Sequence, residues 1–457
     1  MKEYPYRYFY KPQGAAAADF IPFYHDGLFR LFYLHDWRDT EKHGEGTPWF
    51  LLESRDFVDF TERGEAVPRG NPDEQDLYIF TGSVLREHGG SRFHLFYTAH
   101  NPHKSPMEMI AHAVSGDLLH WEKLPGESFS AEPGFDGDNL RDPFVFFDKD
   151  AGLYRMALVK RREGGAYTAG LVGQYTSPDL FSWTPAEPFW EPALYHTHEC
   201  PDLFRMGSWW YLLYSEYSDR SLTRYAMARD LAGQWIIPAD DAFDGRAYYA
   251  AKTASDGAHR YLFGWIPTRE GDSDDGPWQW GGNLGVSELW QRSDGTLAAR
   301  MPEKSFARWR KIRDVPAAAA GRRNGREDTL LFSDPGEVFL LEGELRPEAG
   351  VHAFGLLLGS DPETKRGYRF EFLPGEKRVR FARTDRVIRE QGLSRPLPET
   401  QAGSHTFRLV KDHDIAVLYL DGEIVLSSRL SAEDGSAVQL FGVNGTVSFR
   451  NGALYTL

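Results

Sequence analysis

The chain repeats itself, and few folds can accommodate the repeat. A short aromatic–aliphatic run recurs as Leu31-Phe32-Tyr33, Leu95-Phe96-Tyr97, Met156-Ala157-Leu158, Leu212-Leu213-Tyr214 and Leu262-Phe263-Gly264, at intervals of 64, 61, 56 and 50 residues. A second element follows the first four runs: Ser54 to Phe60, Ser115 to Trp121, Ser177 to Trp183 and Ala228 to Trp235. Each of these reads as a turn capped by its Ser or Asp, with a large ring closing onto a sheet. Between the marks lie short β-rich runs broken by Gly and Asp, and helix-period stretches are scarce. Repeated β units of this length are the pattern of propeller blades. Five strand marks predict a five-bladed β-propeller.

After Arg308-Trp309 the texture changes. Pro316, the alanines 317–320 and Gly-Arg-Arg-Asn-Gly to 325 read as a linker. Antiparallel alternation follows, clearest at Ile415 to Leu430 around Asp421-Gly422, where a hairpin is expected. The expected fold class is all-β, with a propeller over 1–310, a linker over 311–327 and a β-sandwich over 328–457. With 457 residues, more than one core is required.

A formal net charge of -15 argues against nucleic acid or an anionic membrane as partner, because both would repel this surface. The 13 Trp, 22 Tyr and 31 Phe instead offer stacking faces for a neutral sugar, so a small carbohydrate is the expected partner. One cysteine cannot make an internal disulfide. The N-terminal run shows no signal peptide and no stretch of eighteen apolar residues occurs, so a cytoplasmic monomer or homodimer is expected.

Acidic residues recur just upstream of three of the marks. Asp19 lies 12 residues before Leu31, Asp142 lies 14 before Met156, and Glu199 lies 13 before Leu212. In a propeller, equivalent inner strands converge on one funnel, so the three carboxyls should meet there. The other two units place Thr81-Gly82-Ser83 and Tyr248-Tyr249 at this register. Glycoside hydrolysis needs one carboxyl to protonate the leaving oxygen and a second to attack or to activate water. Crowding also drives their pKa values apart.

These residues carry a resemblance. Leu140-Arg141-Asp142-Pro143 is similar to the Arg-Asp-Pro motif of glycoside hydrolase family 32, the invertases, levanases and inulinases, and Glu199-Cys200-Pro201-Asp202 to its Glu-Cys motif. Trp49 and Phe80-Thr81-Gly82-Ser83 resemble further family segments, as do Gly264-Trp265 and Trp280 onward. The resemblance implies a retaining β-fructofuranosidase without a cofactor. Asp19 would be the nucleophile, Glu199 the general acid and then base, and Asp142 the holder of sugar hydroxyls. It also implies that Arg141, Trp49 and Phe80 shape a fructose pocket. Ser83, His198 and Tyr249 complete the expected substrate contacts. The family's Asn before the nucleophile and Pro-Asn-Gly after it are replaced here by Ala18 and Phe20-Ile21-Pro22, and Leu34 and Phe50-Leu51 also depart from the pattern.

Other readings stay open on sequence. Transfer to a sugar acceptor, another furanosidase activity and a non-catalytic carbohydrate-binding propeller share most of these features. His196, His198 and Cys200 alternate as metal ligands could, although the expectation is no metal. Cys200 beside His198 could also be a thiol nucleophile.

Overall fold

The computed structural model describes residues 3–385, 393–400, 403–431 and 433–457. Helix is confined to single turns such as Thr40–His43 and Glu303–Phe306, and nearly everything else regular is strand. No helix among the described residues is long and apolar enough to cross a membrane.

The first part of the chain is a series of antiparallel meanders. Tyr78–Arg86, Phe93–His100, Glu108–Ser115 and Glu122–Lys123 form one sheet, and Arg141–Asp148, Leu153–Arg161, Gly170–Ser177 and Thr184–Trp190 form the next. His198–Met206, Trp209–Glu216 and Thr223–Ala228 form a third. The remaining two meanders begin at Ala16–His25 and Tyr249–Ser255, and they fuse through a pairing of Ala17 with Gly282. The first strand of each meander packs against the first strands of its two neighbours, and the contacts close into a cycle. The repeated runs are the second strands, fully buried at Leu31, Leu95, Met156, Leu212 and Leu262.

The turns that join the third strand to the fourth within three of the meanders behave as expected. The Oγ of Ser54, Ser115 and Ser177 accepts from the backbone two and three residues on, and Asp56, Asp117 and Asp179 each accept two further N–H groups. These bonds hold Phe57, Leu118 and Leu180 at φ of 65°, 68° and 72° with buried side chains. A side chain dropped into the core from each turn is why the motif recurs.

The C-terminal part is two packed antiparallel sheets around one apolar core that includes Phe354, Leu356, Leu409, Leu418 and Leu440. The expected hairpin is present as Ile415–Leu420 with Ile424–Arg429. The stretch expected to link the two parts is instead largely strand. Arg310–Val315 and Ala318–Ala320 both pair with Val447–Thr456, and Arg326–Phe332 pairs with Ala437–Val443. Its Pro, Gly and Ala content reads as irregular, but the final strand supplies the backbone partners that composition cannot reveal.

Buried polar contacts join the two parts. Asp412 is fully buried, and its Oδ2 accepts from the backbone N–H of Arg7, Tyr8 and Phe9 at 2.9, 2.7 and 3.2 Å. Asp244 takes both the N–H and the hydroxyl of Ser427 at 2.8 and 2.6 Å. Asp412→Ala leaves the buried Tyr8 and Phe9 N–H groups and the part-buried Arg7 N–H without this acceptor, so it should lower unfolding stability by about 3 kcal/mol. Chemical denaturation followed by tryptophan fluorescence would check this, and an unchanged midpoint would contradict it.

Candidate active site

Each of the five innermost strands carries a bulge at the same place. Pairing to the second strand holds at Ala18, Phe80, Arg141, Glu199 and Tyr249, then shifts register by one residue. The next residue takes left-handed backbone at four of the five sites: Asp19 (φ 41°), Asp142 (φ 59°), Cys200 (φ 51°) and Ala250 (φ 52°). A bulge lets two consecutive side chains leave the strand on one side, which regular alternation forbids.

This register refines the sequence reading. Asp19 and Asp142 are equivalent, but Glu199 is equivalent to Arg141, and Cys200 occupies the aspartates' position. Counting back from the hairpin, at distances of 12 to 14 residues, cannot resolve that single step. Because the bulge turns both positions inward, all three carboxyls still meet. They line a cavity of about 390 Å³ together with Phe80, Glu108, Arg141, Tyr249 and Trp265.

The site is densely bonded. Trp265 donates its indole N–H to Asp19 Oδ1 at 2.9 Å. Asp142 Oδ2 accepts from the Cys200 N–H at 2.9 Å, while the Asp142 N–H donates to Thr98 Oγ1 at 2.8 Å. Arg141 donates to Glu199 Oε1 at 2.9 Å and reaches Glu108 Oε2 at 3.4 Å. The Tyr249 hydroxyl lies 2.8 Å from Glu199 Oε2 and 3.1 Å from the Glu216 carbonyl. Its one proton can serve either, so Glu199 Oε2 can itself carry a proton without losing Tyr249 as a neighbour.

Burial sets the electrostatics. It raises Asp19 to about 6, opposed by the Trp265 and Thr81 side chains, and it raises Asp142 to about 7, opposed by Arg141. Burial alone would weaken the Arg141 charge, but Glu108, Glu199 and Asp142 outweigh it and hold the guanidinium protonated. Burial pushes the Cys200 thiol well up, which disfavours the thiolate that nucleophilic attack needs.

Three residues expected at the substrate lie in the core instead. Trp49 is fully buried and donates its indole N–H to the carbonyls of Ile79 and Phe80, each at 3.2 Å. It therefore holds the strand that presents Phe80. Ser83 is buried and accepts from the Val145 N–H at 2.9 Å, tying two neighbouring meanders together. His198 is fully buried among Trp190, Tyr195 and Tyr214, and burial lowers its pKa to about 3. Strand alternation turns it away from Glu199, into the sheet interface. His196, His198 and Cys200 belong to no group of three or more His, Cys, Asp or Glu able to hold a metal among the described residues.

Sequence reasoning missed two groups. Glu108 has no motif, being one acid in Met107-Glu108-Met109, and is visible only through its pairing with Arg141. Trp265 was part of a recognised segment, but its bond to Asp19 spans 246 residues.

A raised carboxyl pKa means the folded state binds its proton more tightly than the unfolded chain does. The stability from Asp19 is full below about 3.8, declines as pH rises and is gone above about 6, where a buried charge must be carried. Asp19→Asn keeps an acceptor for Trp265 and tolerates the backbone angle, so it should raise the melting temperature at about pH 8 more than at about pH 5. Equal shifts at both pH values would contradict this assignment.

The architecture and these groups can be compared with known proteins. The model of the glycosyl hydrolases family 32 N-terminal domain matches residues 20–298. A levanbiose-producing levanase of Bacillus subtilis (strain 168) is 30% identical over 192 residues, 40% of this chain and 34% of that protein. A sucrose-6-phosphate hydrolase of Escherichia coli is 23% identical over 470 residues, 94% of this chain and 90% of that protein. This chain thus matches about a third of the levanase's length and most of the hydrolase's. Among solved structures, exo-inulinase from Aspergillus awamori superposes with a TM-score of 0.80 at 16% identity, covering 100% of this chain and 98% of that one. Sucrose-6-phosphate hydrolase from Lactobacillus gasseri gives 0.77 at 16% identity, covering 99% and 93%. At that identity the structural likeness concerns the fold.

Proposed function

Since this chain belongs to glycosyl hydrolase family 32, we propose that it is a β-fructofuranosidase working by retention through a covalent fructosyl-enzyme. The observation that carries the reading is the convergence of Asp19, Asp142 and Glu199 on one cavity from three separate meanders. Relatives named as levanase, sucrose-6-phosphate hydrolase and fructan 1-exohydrolase support a fructoside as the substrate. The closed cycle of first strands supports five propeller blades, ending near Trp309, with the β-sandwich beginning at Arg310.

In this mechanism Asp19, as carboxylate, attacks the anomeric carbon of the fructosyl unit. Glu199 gives its proton to the departing oxygen as that bond breaks. Trp265 fixes one oxygen of the nucleophile and leaves the other for attack. Asp142 accepts from sugar hydroxyls, and Phe80 offers an apolar wall. Glu199, now ionised and held by Arg141, takes a proton from water. That water attacks the anomeric carbon, releases fructose with its original configuration and restores Asp19. The cavity sets the donors Arg141, Ser221, Arg246, Tyr249 and Gln279 beside the four carboxyls, which gives a polyol both donors and acceptors to bond.

Incubation with sucrose, inulin, levan and fructo-oligosaccharides, followed by product chromatography, should give free fructose. A transferred fructoside as sole product would favour the transferase reading, and no turnover would contradict both. Glu199→Gln and Asp19→Asn should each lower kcat by at least about 1,000-fold with the fold intact. Cys200→Ala should retain most activity.

Burial places Asp19 near 6 and Asp142 near 7. Attack requires Asp19 ionised, so kcat/KM should decline as pH falls through this range, by about tenfold per unit below it. A profile flat down to about pH 4 would contradict that assignment.

A further inference from the structure

Aromatic surface continues outward from the cavity beyond the groups used above. Tyr217 lines the cavity yet is 51% exposed. Its ring centroid lies 5.7 Å from that of His196, and His196 lies 5.0 Å from Tyr167, which is 66% exposed. The three rings form a continuous strip from the reaction site to solvent.

The strip is built rather than incidental. An exposed tyrosine on an unsupported loop would gain by folding down onto the surface. Here the loop is clamped from below by Arg161, which is nearly buried. Its Nη1 donates to the Tyr167 carbonyl at 2.8 Å and reaches the His196 carbonyl at 3.3 Å, and its Nη2 donates to the Ala166 carbonyl at 2.8 Å. One guanidinium thus joins the backbone of two successive rings of the strip. Gly170 permits the close approach, because a Cβ there would stand 2.3 Å from the His196 carbonyl oxygen. The Tyr217 N–H donates to the Thr197 carbonyl at 3.3 Å and fixes the inner ring to the same segment.

Direction follows from chemistry. Glu199 protonates the departing oxygen, so the leaving group lies on its side of the cavity. His196 is three residues before Glu199, and Tyr217 follows Glu216 on the paired strand. The strip therefore runs along the path of the leaving group. Aromatic faces present sugars with flat apolar surface while leaving their hydroxyls in water.

We propose that Tyr217, His196 and Tyr167 form an extended leaving-group subsite, which makes oligosaccharides longer than a disaccharide the preferred substrates. The proposal rests on the fructosidase reading and adds the substrate's length to it. Its test compares kcat/KM for sucrose with that for inulin-type oligosaccharides of about four units in the wild type, Tyr167→Ala and Tyr167→Phe. The ratio of long to short substrate should fall about fivefold in Tyr167→Ala, the worth of one stacked ring. Tyr167→Phe should keep the wild-type ratio. An unchanged ratio in Tyr167→Ala, or an equal loss in Tyr167→Phe, would overturn the subsite. If the wild type releases no fructose from any of these sugars, the fructosidase reading fails by itself. Calorimetric titration with the same sugars then decides the strip: affinity that rises with chain length and is lost in Tyr167→Ala supports it, and affinity independent of length overturns it.

Discussion

In an unbroken strand, consecutive side chains point to opposite faces, so an inner strand can offer a central funnel only every second residue. The bulge repeated in all five inner strands removes that limit. It turns two adjacent positions inward, so that Arg141 and Asp142, or Glu199 and Cys200, face the same space. The cost is backbone strain: a non-glycine residue held at positive φ costs about 1 kcal/mol or more, and Asp19, Asp142, Cys200 and Ala250 are all so held. Buried hydrogen bonds hold two of them there. The Asp142 N–H is taken by Thr98, and the Cys200 N–H is taken by the Asp142 carboxylate. The second of these bonds makes one strained residue the support of another, across two meanders.

Charge follows from the same geometry. Four carboxyls, those of Asp19, Glu108, Asp142 and Glu199, face one cavity, which Arg141 and Arg246 also line, and Arg141 is bonded to two of the carboxyls. They cannot all be ionised at low cost in a buried space. The protein meets this by leaving Asp19 and Asp142 to titrate near neutrality, while Arg141 bridges Glu108 and Glu199.

Much of this is legible in the sequence, and the remainder is hidden for definite reasons. The Leu31, Leu95, Met156, Leu212 and Leu262 runs identify the second strands because full burial imposes an apolar pattern on them. The Ser-x-Asp turns are legible because their bonds are local. Three acidic groups could be brought to one funnel by counting between marks. Counting fails at single-residue resolution, since a bulge adds a residue without changing composition. It fails again for Trp49, Ser83 and His198, where an aromatic or polar side chain near a motif packs into a sheet interface instead of the cavity. The supposed linker after residue 310 fails for a related cause, because strand pairing with Val447–Thr456 depends on residues more than a hundred positions away. Long-range pairing likewise hid Glu108 and Trp265.

In the proposed mechanism Asp19 forms a bond to the sugar with Glu199 as its acid–base partner. Mass spectrometry of the enzyme quenched in acid during turnover of a fructo-oligosaccharide tests this directly. A Glu199→Gln variant given a fructoside with a good leaving group should accumulate the intermediate, because the base for water is missing. The expected result is one anhydrofructosyl unit on the peptide that contains Asp19. A fructosyl unit on any other residue, or fructose release at a normal rate from an Asp19→Asn enzyme, would contradict it.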